Sequence, residues 1–498
     1  GVAYVLPLSA RSEPALSDLA RSYLSSLRDE GGLRNESLRD ICFSAGVRRS
    51  HHEYRLALAA HDKAELAEQL DAFLADEKRP NSSNGRALET PPKPVFVCSG
   101  MGQQWWAMGR ELLTQDREFR RAIEEVNDLF GRLAGWSLID RLMASETDSR
   151  LQETQFGQPA IFAVQVALAA VWRSWGVEPA AVLGHSAGEM AAAYISGALS
   201  LEDAVCVTFN RSRLQHRTAG QGSMLAVGIS REEAAEWVAR YPRAISIAAI
   251  NGQNSITLSG DTEVLGEIDK VLNEAGLLSR PLRVDVPYHS PKMDQIEKEL
   301  LESLRGIRPR PASIPFFSTA TGTPLSGSEL DAKYWYRNVR QPVLFHDTLR
   351  KVIEAGHKVF LELGAHPILR NDIAQCLSEK SAAGATLSSL RRGDRERAAM
   401  LGSLGRLYTL GTEINWRKLF PDGATAIKLP VYPFQADIHW RESEKTRQIR
   451  VGRPVHPLLG NRLEVSKPSW SVELDTAGLE YLVDHRIGGA IVFPGAGY

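Results

Sequence analysis

Apolar positions along the chain follow two rhythms. Between residues 5 and 77, short apolar runs ("VLPLSA", "YRLALAA") alternate with longer stretches such as "ALSDLARSYLSSLRDE" and "KAELAEQLDAFLADE". In the stretches apolar residues recur three and four positions apart, so the runs predict strands and the stretches helices of a small α/β unit. Residues 77–94, "EKRPNSSNGRALETPPKP", concentrate Pro, Asn, Ser and Gly and predict an exposed connector with a boundary near residue 92. After it, "VFVCSG" reads as a buried strand entering a glycine turn, and from Trp105 the pattern is largely helical until a second strand at "AAVLGHS". Strands separated by helices favour a parallel sheet.

Residues 221–288 change rhythm. "SMLAVG", "REEAAEWVARY", "AISIAAI", "SITLSG", "EVLGEIDKVLNEAG" and "PLRVDV" spell β-α-β-β-α-β, the ferredoxin-like order. The unit reads as an insertion, because "IPFFSTATG" and "KVFLELG" afterwards return to short strands of the parallel kind. "LSSLRRGDRERAAM" predicts the solvated start of a helix. From residue 403 the chain runs into "KLPVYPFQADIHW", an extended tail expected to pack back on the main body. The most apolar stretch, "QPAIFAVQVALAAVW", is broken by Gln165 and reads as too short to span a bilayer.

Composition alters this picture little. A chain of 498 residues has room for about three domains. With 59 Lys plus Arg against 60 Asp plus Glu, no global field draws it to nucleic acid or an anionic membrane. Cys42, Cys98, Cys206 and Cys376 lack metal-site or disulfide spacing, so no metal is expected and a reducing, cytoplasmic compartment is. An opening at Gly1 without Met or leader, and an end at "FPGAGY", are what an excised piece would show.

Candidate chemistry centres on "AAVLGHSAGEMAAAY", where Ser186 sits between Gly184 and Gly188, after a strand and before a helix. A strand–turn–helix pushes the serine hydroxyl out of the turn and aims backbone N–H groups at one point. The pentapeptide alone leaves two readings open: a nucleophile, or glycines that let a strand meet a helix closely. Four more stretches carry polar candidates: "SGMGQQWWAMG" with Gly100 and Gly102, "FGQPAIF" with Gln158, "TFNRSRLQ" with Arg211, and "VDVPYHSPKM" with His289. Singly they read as a turn, a helix cap, a solvated charge and an ordinary histidine.

Together, in this order and at these intervals, they resemble the malonyl-type acyltransferase family, which includes the acyltransferase domains of type I polyketide synthases. The resemblance covers about residues 93–395 and includes "YRNVRQPVLF" and "ELGAHPIL". Residues 1–92, with "LPLSARSEPAL" and "RRSHHEYRLALAA", are similar to the adapter joining a ketosynthase to its acyltransferase. Residues 396–445, with "LPVYPFQ", are similar to a post-acyltransferase linker, and 446–498 to the start of a dehydratase of hot-dog fold, His485, Gly489 and Pro494 matching H-x-x-x-G-x-x-x-x-P. The fold class implied is α/β: a parallel-sheet, hydrolase-like large subdomain with a ferredoxin-like insert at about 221–288, preceded by a small α/β adapter.

The resemblance implies roles. Ser186 becomes the nucleophile and His289 the general base; the N–H groups of Met101 and Ala187 form the oxyanion hole, with Met101 replacing the family's usual glutamine. Arg211 holds a substrate carboxylate, Gln158 completes the pocket, Gln104 is a second glutamine of the turn without an assigned role, and a backbone carbonyl placed at Asn338 orients the histidine. The implied partners are malonyl-CoA or a related acyl-CoA, an acyl carrier protein bearing phosphopantetheine, and adjacent ketosynthase and dehydratase domains, with no bound cofactor.

In such domains H-A-F-H before the base accompanies malonyl and Y-A-S-H methylmalonyl. Residues 286–289 read V-P-Y-H, and bulky Tyr288 favours malonyl, with methylmalonyl the alternative. A serine hydrolase is the rival, but the α/β-hydrolase order is Ser, then Asp or Glu, then His, and it gives no reason for the arginine. A non-catalytic scaffold is the third reading.

Overall fold

The computed structural model describes residues 1–29, 32–421, 423–435, 440–451, 455, 456, 458–472 and 480–497. The chain divides into two compact units, Gly1–Pro433 and Phe434–Tyr498.

In the first unit, β1 (Tyr4–Ala10), β2 (Tyr54–Ala60) and β3 (Ser82–Arg86) form an antiparallel sheet. Helices Glu13–Arg28, Leu38–Val47 and Lys63–Leu74 accompany it, each started by a side-chain cap, from Ser12, Ser37 and Asp62. This is the expected α/β unit, with one correction. The connector contains β3, because a "SSNGR" segment with no strand pattern of its own is recruited as an edge by hydrogen bonds to β2.

The large sheet has six strands: β4 (Val95–Cys98), β5 (Ala181–Gly184), β10 (Phe316–Ser318), β11 (Thr323–Leu325), β12 (Val359–Leu363) and β13 (Ala385–Ser388). Their order is β11-β10-β5-β4-β12-β13, parallel throughout except at the β10–β11 edge. Each of β4, β5 and β12 is buried along its whole length, as central strands covered on both faces must be. Between β5 and β10 lies the insert, with β6 (Ser223–Val227), β7 (Ile245–Gly252), β8 (Ser255–Gly260) and β9 (Ser279–Pro281). Its antiparallel order β7-β8-β6-β9 is the ferredoxin-like arrangement read from the sequence. The last strand comes earlier than "PLRVDV" suggested: Ser279–Pro281 pairs with β6, and the Leu282 N–H on the Met224 carbonyl is the last bond of that ladder.

Three further expectations are corrected. "QPAIFAVQVALAAVW" belongs to a helix of 21 residues, Thr154–Ser174, long enough to cross a bilayer, yet 89% of its most apolar stretch is buried in the protein. It is a core helix. Residues Arg391 to Arg395 are solvated as expected, but the two charges that open helix Glu396–Leu410 are buried: Glu396 accepts the N–H groups of Gly109 and Leu112, and Arg397 reaches Asp116 and the carbonyl of Ala3. Two orphan donors at the start of helix Arg110–Gln115 explain the carboxylate. The tail does pack back, but on the N-terminal α/β unit: Thr425 and Ile427 donate to Asp40 and Ser44, and Arg49 to the carbonyls of Leu429 and Pro430. Residues 436–439 of that tail lie outside the described residues.

The second unit contains, among its described residues, two short antiparallel ladders, Asn461–Leu463 with Ser469–Ser471 and Arg486–Ile487 with Ala490–Ile491. His485 is exposed and its Nδ1 lies 2.6 Å from the carbonyl oxygen of Val492.

Candidate active site

Two turns meet at the carboxyl ends of β4 and β5, where Cys98 is paired with Gly184. A side chain could not be placed between them. A Cβ on Gly188 would lie 2.0 Å from the carbonyl oxygen of Cys98, and one on Gly100 would lie 2.8 Å from that of His185. The small residues therefore let the two backbones close on each other, with Ser186 at the apex in left-handed conformation, φ +52°. Among the described residues the N–H groups of Met101 and Ala187 have no acceptor. Gln104 holds the first turn, accepting the N–H of Gly102 at 2.8 Å; Gln103 donates to the carbonyls of Ser99 and Gly100.

His289 follows the insert and returns to Ser186, its Nε2 2.7 Å from the serine Oγ. Its Nδ1 faces a backbone carbonyl at 2.8 Å and must carry the ring hydrogen, which leaves Nε2 to accept from the serine. That carbonyl belongs to Gln341, not to Asn338. The reason is helix ending: helix Ala332–Arg340 stops one residue before Gln341, which turns extended and frees its carbonyl from the helical ladder. The imidazole is 3% exposed. Burial above all, and then the Arg211 guanidinium, hold its pKa down at about 3, against the pull of the Gln341 carbonyl. It is neutral, as a proton acceptor must be.

Arg211, on helix Leu201–His216, is 1% exposed and, among the described residues, has no carboxylate in direct contact. Its Nε donates to Asn338 Oδ1 (3.1 Å), Nη1 to Gln158 Oε1 (2.7 Å) and Gln215 Oε1 (3.0 Å), and Nη2 to Ser186 Oγ (3.1 Å). Desolvation lowers its pKa to about 10, so the cation persists at neutral pH. A buried guanidinium held by neutral oxygens, with one end on the serine, leaves a cation able to bind an anion beside that hydroxyl. Tyr288 is buried, with its hydroxyl 2.6 Å from Thr154 Oγ1, and burial raises its pKa to about 12.

Ser186, His289, Arg211, Gln158 and Tyr288 thus converge, with the turn of Met101 against that of Ser186. Sequence reasoning missed Gln341, Gln215, Thr154, Glu189 and Ser246. Gln215 carried a signal, lying one helical turn after Arg211 and on the same face. Ser246 carried none; from β7 it donates to the carbonyl of His289 at 2.8 Å, supporting a residue whose φ is +58°. One trio among the described residues, His346, Cys376 and Glu379, brings possible metal-ligand atoms within 4.8 Å of one another; His346 and Glu379 already bond each other at 2.9 Å.

Residues 95–414 match the acyl transferase domain family, residues 4–70 the CurL-like polyketide synthase C-terminal family, and residues 456–498 the polyketide synthase dehydratase domain family. Among curated relatives, polyketide synthase GfsB of Streptomyces halstedii is 35% identical over 99% of this chain, and erythronolide synthase EryA3 of Saccharopolyspora erythraea 38% identical over 86%. The chain spans only 9% and 13% of those proteins. Among solved structures, the acyltransferase domain from module 8 of the salinomycin polyketide synthase is 34% identical with a TM-score of 0.79, over 84% of this chain and 98% of that one. The loading acyltransferase of the avermectin synthase is 40% identical with a TM-score of 0.60, over 63% and 99%.

Proposed function

We propose, from the premise that this chain belongs to the acyl transferase domain family and is an acyltransferase of a polyketide synthase, that it loads malonyl from CoA onto Ser186 and passes it to an acyl carrier protein. The observation that carries this reading is the position of Ser186 Oγ, 2.7 Å from a neutral imidazole and 3.1 Å from a buried guanidinium. A malonyl thioester has one electrophilic carbonyl and one anionic end, and this site offers one group for each.

In the first half-reaction Ser186 Oγ attacks the thioester carbonyl while its proton passes to His289 Nε2. The Met101 and Ala187 N–H groups receive the developing oxyanion. As the C–S bond breaks, the proton moves from Nε2 to the departing CoA thiolate, leaving an acyl ester. The second half runs the same steps backwards with the phosphopantetheine thiol of the carrier, a ping-pong route that needs no bound cofactor. Arg211 surrenders the Ser186 contact when the oxygen is acylated, and the malonyl carboxylate takes it up. Adjacent ketosynthase and dehydratase domains are the partners that the flanking families suggest.

Malonyl is favoured over methylmalonyl because Tyr288 is not free to swing aside: its hydroxyl is tied to Thr154, on the helix that also carries Gln158. Intact-protein mass spectrometry after exposure to a mixture of acyl-CoA thioesters tests the whole reading. A malonyl ester on Ser186 is the expected result; release of free malonate without ester would show a hydrolase, and no reaction at all a scaffold.

A further inference from the structure

A fully buried carboxylate lies behind the serine turn and takes no part in the steps above. Glu189 Oε1 accepts from the N–H of Thr319 (2.5 Å) and the N–H of Ala320 (3.3 Å), and lies 2.9 Å from the Thr319 hydroxyl, which is 2.7 Å from the carbonyl oxygen of Gly184. Its Oε2 accepts from the Tyr334 hydroxyl (2.6 Å) and Asn338 Nδ2 (2.9 Å). Burial pushes the Glu189 pKa up and these donors oppose it. Four groups, the N–H groups of Thr319 and Ala320, the Tyr334 hydroxyl and Asn338 Nδ2, present a hydrogen to it, the surroundings of a carboxylate.

The amide of Asn338 passes this arrangement on. Its Nδ2 donates both to Glu189 and to the carbonyl of Ser186 (3.2 Å), so its Oδ1 is left facing Arg211 Nε. An amide has two chemically different ends, and reversing it here would set N–H against N–H at the guanidinium. Arg211 Nη1 is held by Gln158 and Gln215, so the Nε contact is what fixes the other edge of the fork.

We infer that Glu189 is a positioning residue for substrate choice: by accepting from Asn338 Nδ2 it sets the direction of that amide, and the amide oxygen holds Arg211 in the pose that receives the acyl carboxylate. The inference rests on the reading of Arg211 as the carboxylate holder. It assigns Glu189 no contact with substrate.

The test compares loading of malonyl-CoA and acetyl-CoA by variants of the full chain, each checked by thermal unfolding. Glu189→Gln turns an N–H₂ toward Asn338 Nδ2, so the amide either reverses against Arg211 or is pushed off the Ser186 carbonyl and the guanidinium; in both cases Arg211 loses its fixed edge. The malonyl-to-acetyl ratio of kcat/KM is then expected to fall about tenfold, the worth of one charge-assisted hydrogen bond. Adding Asn338→Asp restores an acceptor that faces both Gln and Arg211 at unchanged total charge, and should recover part of the ratio. Asn338→Asp alone sets two carboxylates together and should not. A Glu189→Gln variant that loses malonyl and acetyl loading equally, or a double variant no more selective than the single, would overturn the inference. Arg211→Ala separates the two claims: if it keeps the parental preference, the carboxylate-holder reading fails; if it loses that preference while Glu189→Gln keeps it, the Glu189 inference alone fails.

Discussion

Ser186 and His289, 103 positions apart, meet at 2.7 Å, and both hold left-handed backbone, φ +52° and +58°. Non-glycine residues there are strained by on the order of 1–3 kcal/mol, and such strain persists where the surrounding structure over-determines it. Here the overlap of two strand-end turns fixes the first, and the Ser246 hydroxyl and the Gln341 carbonyl hold the second.

Relief of that strain should be measurable. Ser186→Ala abolishes acyl-enzyme formation while the fold persists, and Ser186→Gly does the same. At ordinary positions glycine is less stable than alanine by about 0.5–1 kcal/mol; at 186 the glycine variant should match or exceed the alanine variant in denaturant unfolding. A deficit of the ordinary size would show that position 186 is not strained.

The pH dependence follows from His289. With its pKa held at about 3 in the free enzyme, sulfonylation of Ser186 by phenylmethanesulfonyl fluoride should stay near its plateau as pH falls through 6.5, where an ordinary histidine would be half protonated. For stability the sign is the same: the folded-state pKa lies below the unfolded one, so the unfolded chain binds the proton first, and stability is lost as pH falls from about 6.5 towards 3. His289→Gln should flatten that part of the stability profile. A titration of sulfonylation near pH 6.5 would contradict the buried, neutral imidazole.

Arg211→Ala should cut malonyl loading by about 10- to 100-fold and shift preference towards acetyl, since a hydrogen bond to a charged partner is worth about 1.5–3 kcal/mol. Arg211→Lys should rescue little, because one ammonium cannot serve Asn338, Gln158 and Gln215 and still reach the substrate. Competition between malonyl-CoA and acetyl-CoA measures both.

Tyr288→Ser should narrow the preference for malonyl over methylmalonyl, and Thr154→Val, which unties the Tyr288 hydroxyl without removing the ring, should narrow it less. One methyl group in a pocket is worth about 1–3 kcal/mol, so the parent is expected to discriminate by roughly 10- to 200-fold. A parent that loads mainly methylmalonyl ends this reading.

Dehydration of a 3-hydroxyacyl thioester by this chain is not expected. His485 is exposed and bonds a main-chain carbonyl, and the described strands around it form only two-stranded ladders, too little to enclose a substrate. Loss of the substrate's hydroxyl as water, followed by mass spectrometry, is the measurement; turnover would assign His485 a working site.

By itself the sequence determined what is local. Periodicity placed three of the four strands of the insert, and glycines on both sides of Ser186 marked a turn where backbones touch, because both signals reside in a few consecutive residues. Motif order then led to His289 and Arg211. Tertiary structure alone decided the partnerships. A stretch as polar as Ser82–Arg86 became a strand only because β2 offered it an edge, and Glu396 and Arg397 were buried only because an uncapped helix and Asp116 lay opposite. Asn338 was the expected support of the histidine, three residues from the carbonyl that performs it, and its amide serves Glu189, Ser186 and Arg211 instead. Which oxygen a buried donor finds depends on where helices end and on what packs across gaps of a hundred residues or more, and the residues on either side of that donor in the chain carry no trace of it.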